Sequence, residues 1–291
     1  MDRELVTAMV AIGALGIGAQ WLAWRVRIPS IVLLMLAGLV IGPVTGFINP
    51  TRDFDGLVYP FVALSVAIIL FEGGLNLRWH EYKEAGIDVI RLVTLGLLLS
   101  GILGSMAARY VGGLSWPVAL LFGTISVVTG PTVVLPMLKQ ARLRRRSAAL
   151  LKWEGIINDP LGALLTVLVF EYFSQSQHVT AVGDIFLNLG VALAAALAAG
   201  FACAHLLKRA FHRGRVPEYL KAPVLLAAIL ILYVLLNAVQ EEAGLLAVTI
   251  TGFVLANVHL RNIEELQRFS NYLTLMLVSG VFILLSADIS I

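Results

Sequence analysis

The sequence predicts an all-α polytopic membrane protein with about ten transmembrane helices. Of the 291 residues, 59% are hydrophobic and only 13% are charged, against about 25% charged residues in soluble domains. The apolar residues recur in long runs along the whole chain, without a soluble linker or a low-complexity segment between them. One globular core cannot bury an apolar excess of this size, so lipid must solvate much of the chain.

Individual spans follow from the length of the apolar runs, because a helix needs about 20 mostly apolar residues to cross a bilayer. The opening residues MDREL lack the basic flank of a signal peptide, so we expect the first run to be a membrane helix. The ten expected spans cover residues 5–24, 28–48, 57–77, 87–108, 116–138, 148–173, 184–207, 221–239, 243–259 and 269–287.

The distribution of Lys and Arg predicts the orientation. Sixteen basic residues lie in or beside the odd-numbered loops, while the N-terminus and the even-numbered loops carry only Arg3, Arg52 and Arg109. Loops rich in Lys and Arg stay in the cytoplasm. We therefore expect the N-terminus outside and the odd-numbered loops inside. The sixteen are Arg25, Arg27, Arg78, Lys83, Lys139, Arg142, Arg144, Arg145, Arg146, Lys208, Arg209, Arg213, Arg215, Lys221, Arg261 and Arg268.

Cysteine content and charge exclude several classes. The single cysteine, Cys203, excludes a disulfide framework and a cysteine-rich metal site. A net charge of +3 without a long basic run or a basic domain argues against a nucleic-acid partner.

The sixth span, LKWEGIINDPLGALLTVLVF, places two acids at membrane depth, where an ionised carboxylate costs roughly 2.5–3.5 kcal/mol or more. Asp159 lies near its centre and Glu154 nearer the cytoplasm. Five residues turn a helix by about 140°, so the two acids do not share a face. Asn158, four residues after Glu154, can lie above it. The acids therefore serve different partners, which argues against a paired acid/base device.

Pro160 modifies the backbone beside Asp159. It has no N–H for the carbonyl of Ile156 and disfavours helical geometry in the residue before it, so we expect a helix kink. Gly155 and Gly162 allow another backbone to approach closely. The combination offers hard oxygen ligands for a small cation or a proton. The alternative is a buried, protonated acid in a helix–helix hydrogen bond.

The fifth span contains the sequence VVTGPTVVLP, which predicts a broken helix at Gly130-Pro131, flanked by Thr129 and Thr132. Non-helical backbone at membrane depth is tolerated where it is buried or lines a cavity. Two half-helices would direct their dipole ends at one point. The alternative is a proline kink whose free groups are satisfied by the threonine hydroxyls.

A third acid lies in the third span, within FEGGLNL. Glu72 is in its cytoplasmic third, beside Gly73 and Gly74. Two readings remain open, a side chain that extends to the interface or a further cation ligand.

The segments FEGGLNL, VVTGPTVVLP and EGIINDPLGALL together resemble the bacterial sodium/proton antiporters of the cation:proton antiporter superfamily. The similarity is to the electroneutral branch, whose sixth helix carries Asn-Asp. It covers nearly the whole chain, and its Glu-Gly-(x)2-Asn-Asp signature is specific.

The resemblance implies an inverted-repeat antiporter fold of about thirteen helices and a homodimer. It implies that Asp159 alternately holds a proton and Na⁺, with Asn158 bracing the site, and that Thr129 and Glu72 offer cation ligands. Glu154 would pair with an arginine on a later helix. Gly130 and Gly155 depart from the pattern, since many relatives have aspartate at the first position and some have serine at the second. Both changes remove side-chain oxygens.

The resemblance also implies a division into helices one to three as scaffold and dimerisation region (1–82), an ion-binding core (83–175) and further scaffold helices (176–291). The chain ends before the second broken helix and the arginine of the pattern, so we expect a C-terminal truncation.

The predicted function is exchange of a monovalent cation, Na⁺ before K⁺, for protons across the inner (plasma) membrane, with no cofactor. A K⁺/H⁺ antiporter of the same fold and a transport-incompetent fragment are the alternatives. The motif IINDP lacks the further aspartates of a prenyltransferase, and no zinc or hydrolase motif accompanies it, so an enzyme is not expected. A channel is disfavoured because no repeated carbonyl-rich loop is present.

Overall fold

The computed structural model describes residues 2–54, 56–130, 134, 137–138, 143–174, 182–258 and 263–289. The described parts are helical and connected by short turns. In chain order the helices are α1 (Asp2–Val26), α2 (Ser30–Leu39), α3 (Pro50–Asp53), α4 (Val58–Leu75), α5 (Trp79–Ala85), α6 (Ile87–Arg91), α7 (Leu97–Tyr110), α8 (Trp116–Ser126), α9 (Arg145–Ser174), α10 (Val182–His212), α11 (Lys221–Asn237), α12 (Ala243–Asn257) and α13 (Ile263–Ala287).

The helices confirm the all-α membrane architecture. Within the described residues, seven helices are long and apolar enough to cross a membrane. Three shorter apolar helices, Ser30–Val44, Trp116–Ser126 and Ala243–Asn257, lie within the other three predicted spans. Each predicted span therefore coincides with an apolar helix, although three of these helices are shorter than predicted. The number of spans and the orientation stay predictions.

Two compact units make up the chain, Met1–Ile69 with Gln267–Ile291 and Leu70–Leu266. In the first unit, α1, α2 and α13 share a hydrophobic core that includes Leu34 and Ile283, both 0% exposed. Polar contacts join the same elements, because Gln20 Nε2 donates to Ser279 Oγ at 3.2 Å. This division by packing does not test the predicted domain roles, which stay predictions.

The second unit is built around α12. This helix has buried residues on all sides, as expected of a helix that is apolar all round. It packs against α9, α10 and α11. Its end also holds the start of α5, because the Trp79 backbone N–H donates to Asn257 Oδ1 at 2.7 Å.

The end of α4 crosses α12 at two glycines. A Cβ at Gly74 would lie 2.2 Å from the carbonyl oxygen of Thr249, and one at Gly252 would lie 2.2 Å from that of Phe71. Neither position can accept a side chain without a backbone shift. This is the close helix approach that small residues permit in membrane proteins.

Three features of the backbone were not expected from the sequence. The second span ends in a π-helical turn, Val40–Val44, that contains Pro43, and another π turn, Leu92–Gly96, joins α6 to α7. Proline lacks the N–H for a regular helical bond, and a π turn accommodates the local change. The third is α5, a seven-residue helix in a stretch expected to be a polar loop.

Candidate ion-binding site

Helix α9 carries three of the predicted site residues, Glu154, Asn158 and Asp159. It is a continuous helix of 30 residues that runs through Pro160. One side is buried by residues spaced three or four apart, among them Ile156, Pro160 and Leu164. Pro160 therefore does not end the helix. Because proline has no N–H, the carbonyl of Ile156 lacks its helical hydrogen-bond donor. Ile156 is 0% exposed.

The fifth span loses its helical structure at the predicted place. Helix α8 ends at Ser126, and Val128 to Gly130 have no regular structure. The described half of the predicted break is thus present, with Thr129 and Gly130 in unwound backbone. Pro131 and Thr132 lie outside the described residues.

The fifth span lies against α9 at two glycines, through Val128 of the unwound stretch and through Val134, which is helical. A Cβ at Gly162 would meet Val128, with its Cγ2 at 2.6 Å, and a Cβ at Gly155 would meet the Val134 side chain from 3.1 Å. Gly155, Asp159 and Gly162 lie within about 60° of one another around the helix. The two contacts therefore lie on either side of Asp159 along α9, on its own face.

A polar cluster joins the unwound stretch to α9. Thr129 Oγ1 donates a hydrogen bond to Glu154 Oε1 at 3.0 Å. Asn158 Nδ2 donates to the same oxygen at 3.2 Å, as the four-residue spacing predicts. Glu154 thus accepts hydrogen bonds from an amide and a hydroxyl, and no Lys or Arg pairs with it within the described part of the chain.

The free atom of this cluster is the side-chain oxygen of Asn158. Asn158 is 2% exposed, and its Oδ1 has no hydrogen-bond partner among the described residues. Buried polar atoms are nearly always paired, and an unpaired one costs about 1–3 kcal/mol. Because the amide group is oriented by Glu154, the orphaned oxygen is a fixed acceptor for a ligand.

Asp159 follows Asn158 in the sequence and is half-buried. Its neighbours Asn158 and Pro160 are both buried. No hydrogen bond or ion pair engages its carboxylate in the part of the chain that the structure describes. A carboxylate held in this way has its full capacity available for a proton or a cation.

Glu72 is buried near the end of α4, with 8% exposure. Asn76 Nδ2 donates to its Oε1 at 2.6 Å and to its backbone oxygen at 3.0 Å. The side chain therefore lies inside the protein rather than extending to the interface. Asn76 was not singled out from the sequence, although it follows Glu72 by four residues in FEGGLNL.

The donor set favours a hard cation. Among the described residues, no group of three or more His, Cys, Asp and Glu side chains could hold a metal ion. What α9 and the unwound stretch offer is carboxylate, amide and hydroxyl oxygen, which suits hard cations rather than zinc or copper. An intramembrane acid beside unwound backbone is the arrangement of an ion-transporting membrane protein.

Comparison with known proteins identifies the family. The model of the transmembrane sodium/hydrogen exchanger family matches residues 9–291. The chain belongs to this family and is a multi-pass membrane protein.

Individual relatives agree with the family assignment. The chain is 28% identical over 300 residues to the Na⁺/H⁺ antiporter 1 of Methanocaldococcus jannaschii, covering 97% of this chain and 69% of the relative. It is 24% identical over 289 residues to a K⁺/H⁺ antiporter of Shewanella baltica, covering 98% of this chain and 50% of the relative. The chain thus spans about half to two thirds of these relatives.

The fold is similar to that of a solved antiporter. The structure of the sodium proton antiporter MjNhaP1 from M. jannaschii at pH 8 matches with a TM-score of 0.82 and 26% identity. The match covers 98% of this chain and 71% of that structure. The antiporter fold expected from the sequence is confirmed.

Proposed function

We propose that this protein exchanges a monovalent cation, Na⁺ before K⁺, for protons, with Asp159 as the residue that binds one or the other. The observation that carries the proposal is the buried Asn158 Oδ1, which has no partner among the described residues and belongs to the residue before Asp159 in α9. Thr129, held beside Glu154, contributes hydroxyl oxygen. Glu72 is proposed as a further ligand, and Glu154 as the group that orients Asn158.

Exchange follows from competition at one carboxylate. A proton on Asp159 removes the negative charge that binds the cation, and a bound cation disfavours the proton by like-charge repulsion. If only the loaded carrier moves its site between the two faces, each cation moves against one proton. The proposed cycle needs no cofactor and no chemical turnover of a substrate.

Access to the site alternates when one bundle moves against another, as in other inverted-repeat transporters. We assign the moving, ion-binding bundle to residues 83–175 and the scaffold to 1–82 and 176–291. We further propose a homodimer in the inner (plasma) membrane. The unwound backbone beside α9 supports the first assignment, because such breaks line binding sites at membrane depth.

The test uses the full-length protein in proteoliposomes with an imposed proton gradient. Asp159→Asn should abolish Na⁺-driven proton movement, because the amide cannot take up and release the proton. Glu171→Gln is the matched control, since it neutralises an acid on the same helix that accepts hydrogen bonds from Gln240. The control should retain exchange. Exchange at the wild-type rate in Asp159→Asn would refute the proposal.

K⁺/H⁺ exchange is the second candidate. It is favoured by the similarity to the Shewanella K⁺/H⁺ antiporter and by Gly130 and Gly155, whose missing side chains leave fewer oxygens for a small cation. The same vesicles decide between the two. A lower KM for Na⁺ than for K⁺ at equal pH supports the main proposal, and the reverse order supports the second.

A further inference from the structure

An ion pair lies on α9 at its basic end. Lys152 Nζ donates to both carboxylate oxygens of Glu81, at 2.8 and 3.0 Å. The two side chains are only 18% and 25% exposed. Pairs this sheltered are screened less than surface pairs, so the removal of one partner leaves a charge that acts over distance.

Glu81 is held in place by the packing of α5. Trp79 stacks on Tyr82 with ring centroids 5.0 Å apart, and Tyr82 lies 5.4 Å from the Trp153 ring. Trp153 in turn meets Phe253 of α12 edge-on at 5.5 Å. The backbone N–H of Trp79 is bound by the side chain of Asn257. In this structure helix α5 therefore contacts both α9 and α12, and these contacts position the Glu81 carboxylate.

The pair and Asp159 are on one side of α9. Lys152 precedes Asp159 by seven residues, which is about 10 Å along the helix and about 20° around it. With an effective dielectric constant of about 20 to 30, one unpaired charge at that distance changes the binding of a monovalent cation by roughly five- to fifteenfold. In the intact pair the two charges cancel.

We propose that Glu81 and Lys152 set the cation affinity of Asp159, with Glu81 raising it and Lys152 lowering it. This inference rests on the proposed function of Asp159. The pair does not contact the cation; it acts through the electrostatic field along α9. Two other acids near this end are engaged elsewhere, because Asp88 bridges to Arg91 and Arg146 and Glu154 accepts hydrogen bonds from Thr129 and Asn158.

The experiment measures the apparent KM for Na⁺ in proteoliposomes. Both single substitutions break the same ion pair, but they leave opposite charges. Glu81→Gln leaves Lys152 unpaired and should raise the KM roughly five- to fifteenfold. Lys152→Met leaves Glu81 unpaired and should lower it by a similar factor. A purely structural role would move both values in the same direction.

The pH of the assay must be alkaline. Protons and Na⁺ carry the same charge, so an unpaired charge changes the affinity for both equally. Where protons compete strongly, the two effects cancel in the apparent KM. The shifts should therefore be largest at alkaline pH and should shrink on acidification.

Two further variants distinguish an electrostatic effect on the KM from a structural one. Glu81→Gln combined with Lys152→Met lacks the ion pair but has no unpaired charge, so its KM should return to within about twofold of wild type. Asp88→Asn is a control at an exposed pair, with side chains 36% and 64% exposed, and should change the KM less than twofold.

The outcomes distinguish the two proposals. Absence of exchange in the wild-type protein contradicts the proposed function. Exchange in the wild-type protein with equal-direction or absent KM shifts in the two single variants overturns the role of Glu81 and Lys152 while leaving the proposed function intact.

Discussion

Helices α9 and α12 both carry polar side chains inside the second unit, and they differ in how these are satisfied. On α12, Thr249 Oγ1 donates to the carbonyl of Leu245 at 2.7 Å, and Thr251 Oγ1 to that of Ala247 at 2.8 Å. On α9, the side-chain oxygen of Asn158 has no hydrogen-bond partner, and the carboxylate of Asp159 makes no hydrogen bond or ion pair, among the described residues. The first set is complete without a ligand, and the second is not.

This difference separates polar residues that serve packing from those that bind a ligand. A threonine hydroxyl that donates to a carbonyl of its own helix is satisfied without a ligand. An amide oriented by a carboxylate, with one oxygen left free, is expensive unless something binds there. The incomplete set therefore identifies the site more reliably than the presence of polar residues alone.

The largest effect is expected where α12 serves packing. Gly252→Val places a side chain where even a Cβ lies 2.2 Å from the carbonyl of Phe71. We expect a loss of about 3 kcal/mol or more of stability, seen as a lower unfolding temperature in detergent. Gly190→Val is the control, because no atom of the described residues lies within 4 Å of a Cβ built there. Equal unfolding temperatures for the two variants would mean that α4 and α12 do not cross at these glycines.

The next largest effect is expected at Asn158 of α9, whose side-chain oxygen has no partner among the described residues. Asn158→Leu should weaken Na⁺ binding by about tenfold or more, since a lost ligand oxygen removes at least about 1.4 kcal/mol. The unfolding temperature should change little, because an unpaired buried oxygen disappears together with the hydrogen bond to Glu154. Calorimetric Na⁺ titration and thermal unfolding measure the two. A large loss of stability with unchanged affinity would assign Asn158 to packing.

Thr251→Val is the counterpart on α12. It removes a hydroxyl with 0% residue exposure that donates to Ala247 of its own helix at 2.8 Å and also lies 3.3 Å from the carbonyl oxygen of Gly200 on α10. We expect a loss of about 0.5–1.5 kcal/mol of stability and no change in the KM for Na⁺. A changed KM would show that α12 also contributes to ion binding and would weaken the comparison.

The smallest effect concerns Glu242, a partly buried acid outside the predicted membrane spans. In the loop between α11 and α12, burial and, secondly, the neighbouring Glu241 raise the pKa of Glu242. A raised pKa means that the folded state holds its proton more tightly than the unfolded state, so stability falls as the pH rises from the ordinary carboxyl pKa through the raised one. Glu242→Gln should therefore raise the unfolding temperature by a few degrees at neutral pH and leave it unchanged at acid pH.

Much of this arrangement follows from the sequence. The apolar runs predicted the helices, and the four-residue spacing of Glu154 and Asn158 predicted that the two side chains would meet. Gly130 and the proline after it indicated the loss of helix after Ser126. These features depend on local geometry, which a sequence contains.

Other features depend on contacts between distant segments. The crossing at Gly74 and Gly252 joins residues 178 positions apart, and no local pattern distinguishes these glycines from Gly190. The pairing of Glu81 with Lys152 requires α5 to fold onto α9, in a stretch that looks like a polar loop. The unpartnered oxygen of Asn158 depends on how the surrounding segments pack, which the sequence around Asn158 does not specify.

The most direct test of the central claim is the number of protons released when Na⁺ binds. The protein is held in a weakly buffered solution at a pH where Asp159 is protonated without cation, and Na⁺ is then added. Competition at one carboxylate predicts the release of about one proton for each Na⁺ bound, and none from Asp159→Asn. Binding of Na⁺ to the wild-type protein without proton release would contradict it.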